Sequence, residues 1–190
     1  MLSRRFPVVC YASPVSYTRL RFPFTTQLHT VVQMGPLVDT QAADRVVRAI
    51  AAGVAHGARI ATGGSRWGPR EGAWVQPTIL VDVTDDNPCA KDELFGPVMV
   101  IHRYTAFEEA LARANGTPYG LAAVVLTRDT GTALRAAQAL EAGTVWVGAH
   151  GVFDPSLPYG GLKASGIGRE YGEEGLAAYE VTKTVVLCLR

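Results

Sequence analysis

From Met34 onward, apolar residues recur with the spacing of regular elements. Ala43, Val46, Val47, Ile50, Ala51 and Val54 fall at three- and four-residue steps, which places them along one face of an α-helix. Asp39 or Thr40 is suited to cap its start, and Gly57 to stop it. Arg59 to Thr62 reads as a short strand before a Gly-rich loop over 63–72, and the β-branched runs 78–83 and 98–104 read as strands. Helical spacing returns at Phe107, Ala110, Leu111 and Ala114. A strand over 121–127, a helix near 132–141, a strand over 144–147, a short helix around 173–179 and a last strand from Val181 to Leu189 follow. Strands that alternate with helices of this length predict βαβ crossovers, so the fold class is α/β, a largely parallel sheet with flanking helices. Buried parallel strands should be continuously apolar, as Ala122-Ala123-Val124-Val125-Leu126 is.

Residues 1–32 do not share this regularity. The first 33 residues hold Arg4, Arg5, Arg19 and Arg21, no acid, three prolines and five aromatics without helical or alternating period, so no stable element is expected there. An acid-free, Arg- and Ser-containing start resembles an organellar transit peptide, but Pro14 and Pro23 would break the amphipathic helix that such a peptide needs. The expected location is therefore cytoplasmic, with a mitochondrial one as the alternative. The organisation expected is an N-terminal extension over 1–32, a catalytic-type portion over 33–179 and a tail strand over 180–190.

A chain of 190 residues with 48% hydrophobic and 18% charged residues can bury a core. Eighteen basic against seventeen acidic residues give a net charge of +1, which supplies no electrostatic basis for nucleic acid or an anionic membrane as partner. No run approaches the roughly 18 apolar residues of a membrane span. Cys10, Cys89 and Cys188 are odd in number and far apart, a pattern of structural or surface thiols rather than of disulfides or zinc ligands.

Tested against chemical motifs, the chain excludes several. A dinucleotide Gly-x-Gly-x-x-Gly built on Gly166 and Gly168 would need glycine at Tyr171, and a phosphate loop on Gly161 and Gly166 would need lysine at Ile167. Ser156 or Ser165 lies near His150 and Asp154, but no nucleophile elbow surrounds either serine. His29, His56, His102 and His150 lack metal-ligand spacing, and His56 at a helix end suits the dipole there. No metal site and no catalytic residue is assigned.

Six segments in order carry a specific likeness: Gln33-Met34-Gly35-Pro36-Leu37-Val38, Glu93-Leu94-Phe95-Gly96-Pro97-Val98, Asn115 with Tyr119-Gly120-Leu121, Gly143-Thr144-Val145-Trp146-Val147, the run from Pro158 through Gly160-Gly161 to Arg169-Glu170, and Lys183-Thr184-Val185. Together they resemble the C-terminal part of the NAD(P)-dependent aldehyde dehydrogenases, whose reaction oxidises an aldehyde to a carboxylic acid. The resemblance implies that Glu93 accepts hydrogen bonds from the nicotinamide ribose of NAD or NADP and that Phe95 packs on the nicotinamide. It implies that Phe153 lines the aldehyde channel, and that Val181 to Leu189 joins a homo-oligomer or a full-length subunit. The family usually has Asn at Gly148 and Phe at Tyr159. Its nucleophilic cysteine and general-base glutamate lie upstream of Gln33 and have no match here; Cys10 lacks the Gly and Gln neighbours. The expectation is a truncated or split aldehyde dehydrogenase, an oxidoreductase by family but inactive alone, binding cofactor weakly if at all. The rival expectation is a non-catalytic protein that docks onto complete subunits.

Overall fold

The computed structural model describes residues 7–10, 34–68 and 72–189. The chain forms two compact units, Met1–Ala110 and Leu111–Arg190.

The first unit is built on α1, Thr40–Ala55. Asp39 caps it by accepting from the Ala42 N–H at 2.6 Å, and its last turn closes on His56 and Gly57, whose φ of +93° suits a residue without a Cβ. Ala43, Val46 and Ile50 on one face of α1 join Leu80, Val98 and Val100 in a single buried cluster. A four-stranded sheet supplies the other side, in the order β1 (Pro7–Cys10), β4 (Val98–Arg103), β3 (Thr78–Val81), β2 (Arg59–Thr62). A helical turn, α2 (Pro88–Lys91), lies between β3 and β4. Its cap Asn87 is fully buried and bonded at both ends of its amide: Nδ2 donates to the Gly53 carbonyl at 2.8 Å, and Oδ1 accepts from the Cys89 N–H at 3.0 Å.

In the second unit, α3 (Phe107–Asn115) runs in from the first. It leads to β5 (Tyr119–Gly120), β6 (Ala122–Val125), α4 (Thr130–Ala139), β7 (Thr144–Val147), β8 (Leu162–Lys163) and α5 (Gly172–Ala177). β6 pairs with β7 and β5 with β8 as two separate ribbons. Asp129 caps α4, and the Thr132 hydroxyl, then its N–H, hold that carboxyl below the usual carboxylate range.

Four expectations change. The sheets are mixed rather than largely parallel: β3–β4 and β6–β7 are parallel, whereas β1–β4, β2–β3 and β5–β8 are antiparallel. For β2–β3 the reason lies between the two strands, where the described residues 63–68 and 72–77 form no crossover helix. The Trp67 N–H donates to Trp74 and the Gln76 N–H to Ser65, which folds the segment back as an antiparallel arm. Second, β6 is not buried on both faces; none of its four residues is buried, and Leu126 beyond it is exposed. Two strands alone cannot cover both faces of a ribbon. Third, residues 7–10 form β1 on the edge of β4, although no element was expected before Met34; the other residues before Met34 lie outside the described ones. Fourth, 181–189 forms no strand, and its apolar side chains stand exposed. Among the described residues, no helix is long and apolar enough to cross a membrane.

Candidate functional site

Glu93 and Phe95 sit on the turn that feeds β4, and alternation sets their direction. Leu94 packs inward against the core cluster, while Glu93 and Phe95 on either side of it are exposed, Phe95 by 71%. The backbone is held on both flanks of the ring. A Cβ at Gly96 would lie 2.6 Å from a Val46 methyl, so only glycine lets the turn approach α1 this closely. The Thr78 N–H donates to the Pro97 carbonyl at 2.8 Å, which ties the turn to β3. Between these holds, Phe95 has φ +49°, a conformation that a bulky side chain rarely adopts. The Glu93 carboxylate makes no hydrogen bond or ion pair among the described residues, so both its oxygens are available to accept.

Phe153 lies in the second unit, on the long loop after β7. Its ring meets Trp146 at 5.5 Å and 82°, and Tyr159 at 5.2 Å and 74°, both edge-to-face. Trp146 also meets His150 at 5.3 Å, and its indole N–H donates to the Val152 carbonyl at 2.8 Å. Motif matching had not singled out Trp146 as a functional residue; its place two residues before Gly148, at the mouth of a Gly-rich loop, was the available signal. Beyond Phe153, Asp154 accepts from the Ser156 N–H at 2.9 Å and from its hydroxyl at 2.7 Å. Those two bonds, the backbone one first, lower the Asp154 pKa from its ordinary value. Ser156 is thus committed to Asp154 and Ser165 Oγ accepts from the Gly120 N–H, so the serines serve the loop rather than a nucleophilic triad.

Matched segments of the second unit are bonded to one another within 115–169. The Asn115 side chain donates to the Ala139 carbonyl and accepts from the Glu141 N–H. Lys163 Nζ donates to the Asn115 carbonyl at 2.7 Å and pairs with Glu141, and Arg169 donates to the Gly161 carbonyl at 2.9 Å. Gly161 and its neighbour Gly160 let backbones meet: a Cβ at Gly161 would lie 2.5 Å from the Ser165 carbonyl oxygen, and one at Gly160 2.6 Å from that of Gly168.

The thiols differ in setting. Cys89 is buried, its Sγ lies 3.1 Å from the Ala49 carbonyl oxygen, and burial raises its pKa, the setting of an inert structural thiol. Cys188 is exposed on the tail, and the Cys10 side chain lies outside the described residues. Among the described residues no cluster of His, Cys, Asp or Glu is suited to a metal ion.

The family model described as the aldehyde dehydrogenase family matches residues 18–185. The chain belongs to the aldehyde dehydrogenase family. The match begins ahead of Gln33, so the likeness extends into the segment that had shown none. Aldehyde dehydrogenase 1A1 of Gallus gallus is 46% identical over 156 residues, 82% of this chain and 30% of that one. The mitochondrial benzaldehyde dehydrogenase of Antirrhinum majus is 44% identical over 159 residues, again 30% of its length. The NAD+ complex of a Bacillus cereus aldehyde dehydrogenase superposes with a TM-score of 0.74 at 44% identity, covering 77% of this chain and 30% of that one. The chain therefore spans about 30% of the length of the aldehyde dehydrogenases that it matches.

Proposed function

We propose that this chain carries the nicotinamide-side and aldehyde-entrance elements of an aldehyde dehydrogenase, serving the NAD(P)-dependent oxidation of an aldehyde to a carboxylic acid. The observation that carries this reading is Phe95. A ring left 71% exposed at φ +49° buries little, and a strained backbone of this kind costs about 1–3 kcal/mol. Such a cost is sustained where the ring is presented to a ligand. The free Glu93 carboxylate, two residues away, accepts from the vicinal hydroxyls of the nicotinamide ribose. The Phe95 face holds the flat nicotinamide and excludes water from it. When bound, the nicotinamide supplies the hydride acceptor for the oxidation. In the second unit, Phe153 lines the aldehyde entrance. No residue of the chain is assigned as nucleophile or base, and the chain alone is inactive, because losing the nucleophile of a set that acts together removes nearly all of its catalysis.

One set of measurements tests this. With NAD+ and an aldehyde, the pure chain is expected to form no NADH; turnover abolished by Cys10→Ala would overturn the inactivity. At millimolar NAD+, magnetisation transfer from protein to cofactor is expected to favour nicotinamide protons over adenine protons. Phe95→Ala should weaken that transfer about 2- to 10-fold, the range for one aromatic pair. Equal transfer in Phe95→Ala, or none to the nicotinamide, would refute the site.

A second reading rests on the tail. Val181, Val185, Val186, Leu187 and Leu189 are between 76% and 93% exposed, and so much apolar surface on one short segment suits a partner's sheet edge. On this reading the tail docks onto another aldehyde dehydrogenase subunit. Native mass measurement should then show self-association or binding to an added complete subunit, lost in Val186→Lys; an unaltered monomer at micromolar concentration in both mixtures counts against it.

A further inference from the structure

We infer that Trp146 is the positioning residue for Phe153, fixing the loop that presents this ring; the inference rests on the reading of Phe153 as the aldehyde entrance. The loop after β7 is tied near its ends, where the Gly148 N–H donates to the Val125 carbonyl at 2.9 Å and the Leu157 N–H to the Asp154 carbonyl at 3.0 Å. It turns through Gly148 and Gly151, both at φ +70°, and a Cβ built on either would meet nothing within 4 Å. Backbone sterics therefore leave the turn free to take other shapes. Trp146 stands on β7 with its backbone in register with Val124 of β6, so the sheet sets where its side chain starts. From there its N–H donates to the Val152 carbonyl at 2.8 Å, one residue before Phe153, and its ring meets Phe153 nearly at right angles at 5.5 Å. A hydrogen bond to the adjacent peptide and an edge-to-face contact to the ring restrain both the backbone and the side-chain torsions of Phe153. Tyr159, across the loop at 5.2 Å and 74°, limits the ring from the far side. Trp146 and Tyr159 both meet Phe153 edge to face, so they form a prop for its ring.

Nuclear magnetic resonance on the full 190-residue chain tests this without any need for turnover. In the unmodified protein the Trp146 indole N–H should exchange with solvent about tenfold more slowly than a free indole, the factor that one ordinary hydrogen bond supports. Trp146→Phe keeps a ring but removes the donor, and the protected amides over 148–154 should then exchange about tenfold faster while those of α1 do not change. Phe153→Leu should leave the indole protected, since the dependence runs from Trp146 to Phe153. Exchange of the indole at the free rate overturns the proposal even if Trp146→Phe fails to fold, and so does unchanged loop exchange in a folded Trp146→Phe. Titration with benzaldehyde separates the two readings. If Phe153 ring signals do not shift but the indole is protected, the entrance reading fails and the positioning role stands. If they shift but the indole is unprotected, the reverse holds.

Discussion

Leu80→Ala is expected to destabilise the first unit by about 2–5 kcal/mol, the range for removing a buried leucine from a packed core. Leu80 is fully buried at the centre of β3, in register with Val100 of β4 and Ile60 of β2. The surrounding cluster cannot collapse onto the gap easily. Val46 and Ile50 are fixed by the α1 helix, and Val98 and Val100 by the sheet ladder. Total stabilities run to about 5–15 kcal/mol, so this one truncation removes a large share and should lower the urea midpoint of α1 and β3–β4 accordingly. Ile60→Ala is the internal control. Ile60 is also on the sheet but 38% exposed, and its loss should cost clearly less. A Leu80→Ala midpoint within that of Ile60→Ala would show that the buried cluster is not what holds this unit together.

The same unit shows how far the sequence reaches. α1 was legible because every local signal agrees: the apolar period, the Asp39 cap and the Gly57 stop all act within one helix. β4 was legible as a strand, but not in its facing. Val98-Met99-Val100-Ile101 is apolar throughout, and only the structure shows that 98, 100 and 102 point inward, with His102 buried among them. Direction of pairing was not legible, because it depends on what the connection does. Residues 63–68 and 72–77 pair as an arm held by Arg66, which pairs with Asp44 and donates to the Gly72 carbonyl, and no local pattern announces a bond from an arm to a helix 22 residues earlier. The site divides in the same way. Glu93, Phe95 and Phe153 were reached only through family resemblance, since nothing in Phe95 itself signals a left-handed backbone. Its cause lies in Gly96 against Val46 and Pro97 against Thr78, contacts far apart in the chain. The bond from Trp146 was illegible for a like reason: its acceptor is a main-chain carbonyl, and carbonyls leave no mark in a sequence.

Gly143→Ala is expected to disrupt the second unit while leaving α1 and β3–β4 of the first intact. A methyl built on Gly143 would lie 1.7 Å from the Gly160 carbonyl oxygen and 2.9 Å from its carbon, far inside contact distance. Both obstacles are backbone atoms, so no side chain can rotate away. Gly143 cannot retreat either: its N–H donates to the Gly120 carbonyl at 3.0 Å, and Gly120 would itself bring a Cβ within 2.6 Å of the Glu141 carbonyl oxygen. Either the start of β7 or the segment at 160 must move by more than an ångström, and the antiparallel bridge between Tyr159 and Glu170 lies in the way. The cost should exceed the about 1–2 kcal/mol of an ordinary left-handed strain. Gly148→Ala provides that comparison, because Gly148 has φ +70° and open space around it. Hydrogen exchange of the β6–β7 amides should collapse in Gly143→Ala and rise only moderately in Gly148→Ala. If the two variants protect these amides equally, backbone approach is not what these glycines provide. The second unit would then have to be held by Lys163 and Asn115, whose bonds neither substitution touches.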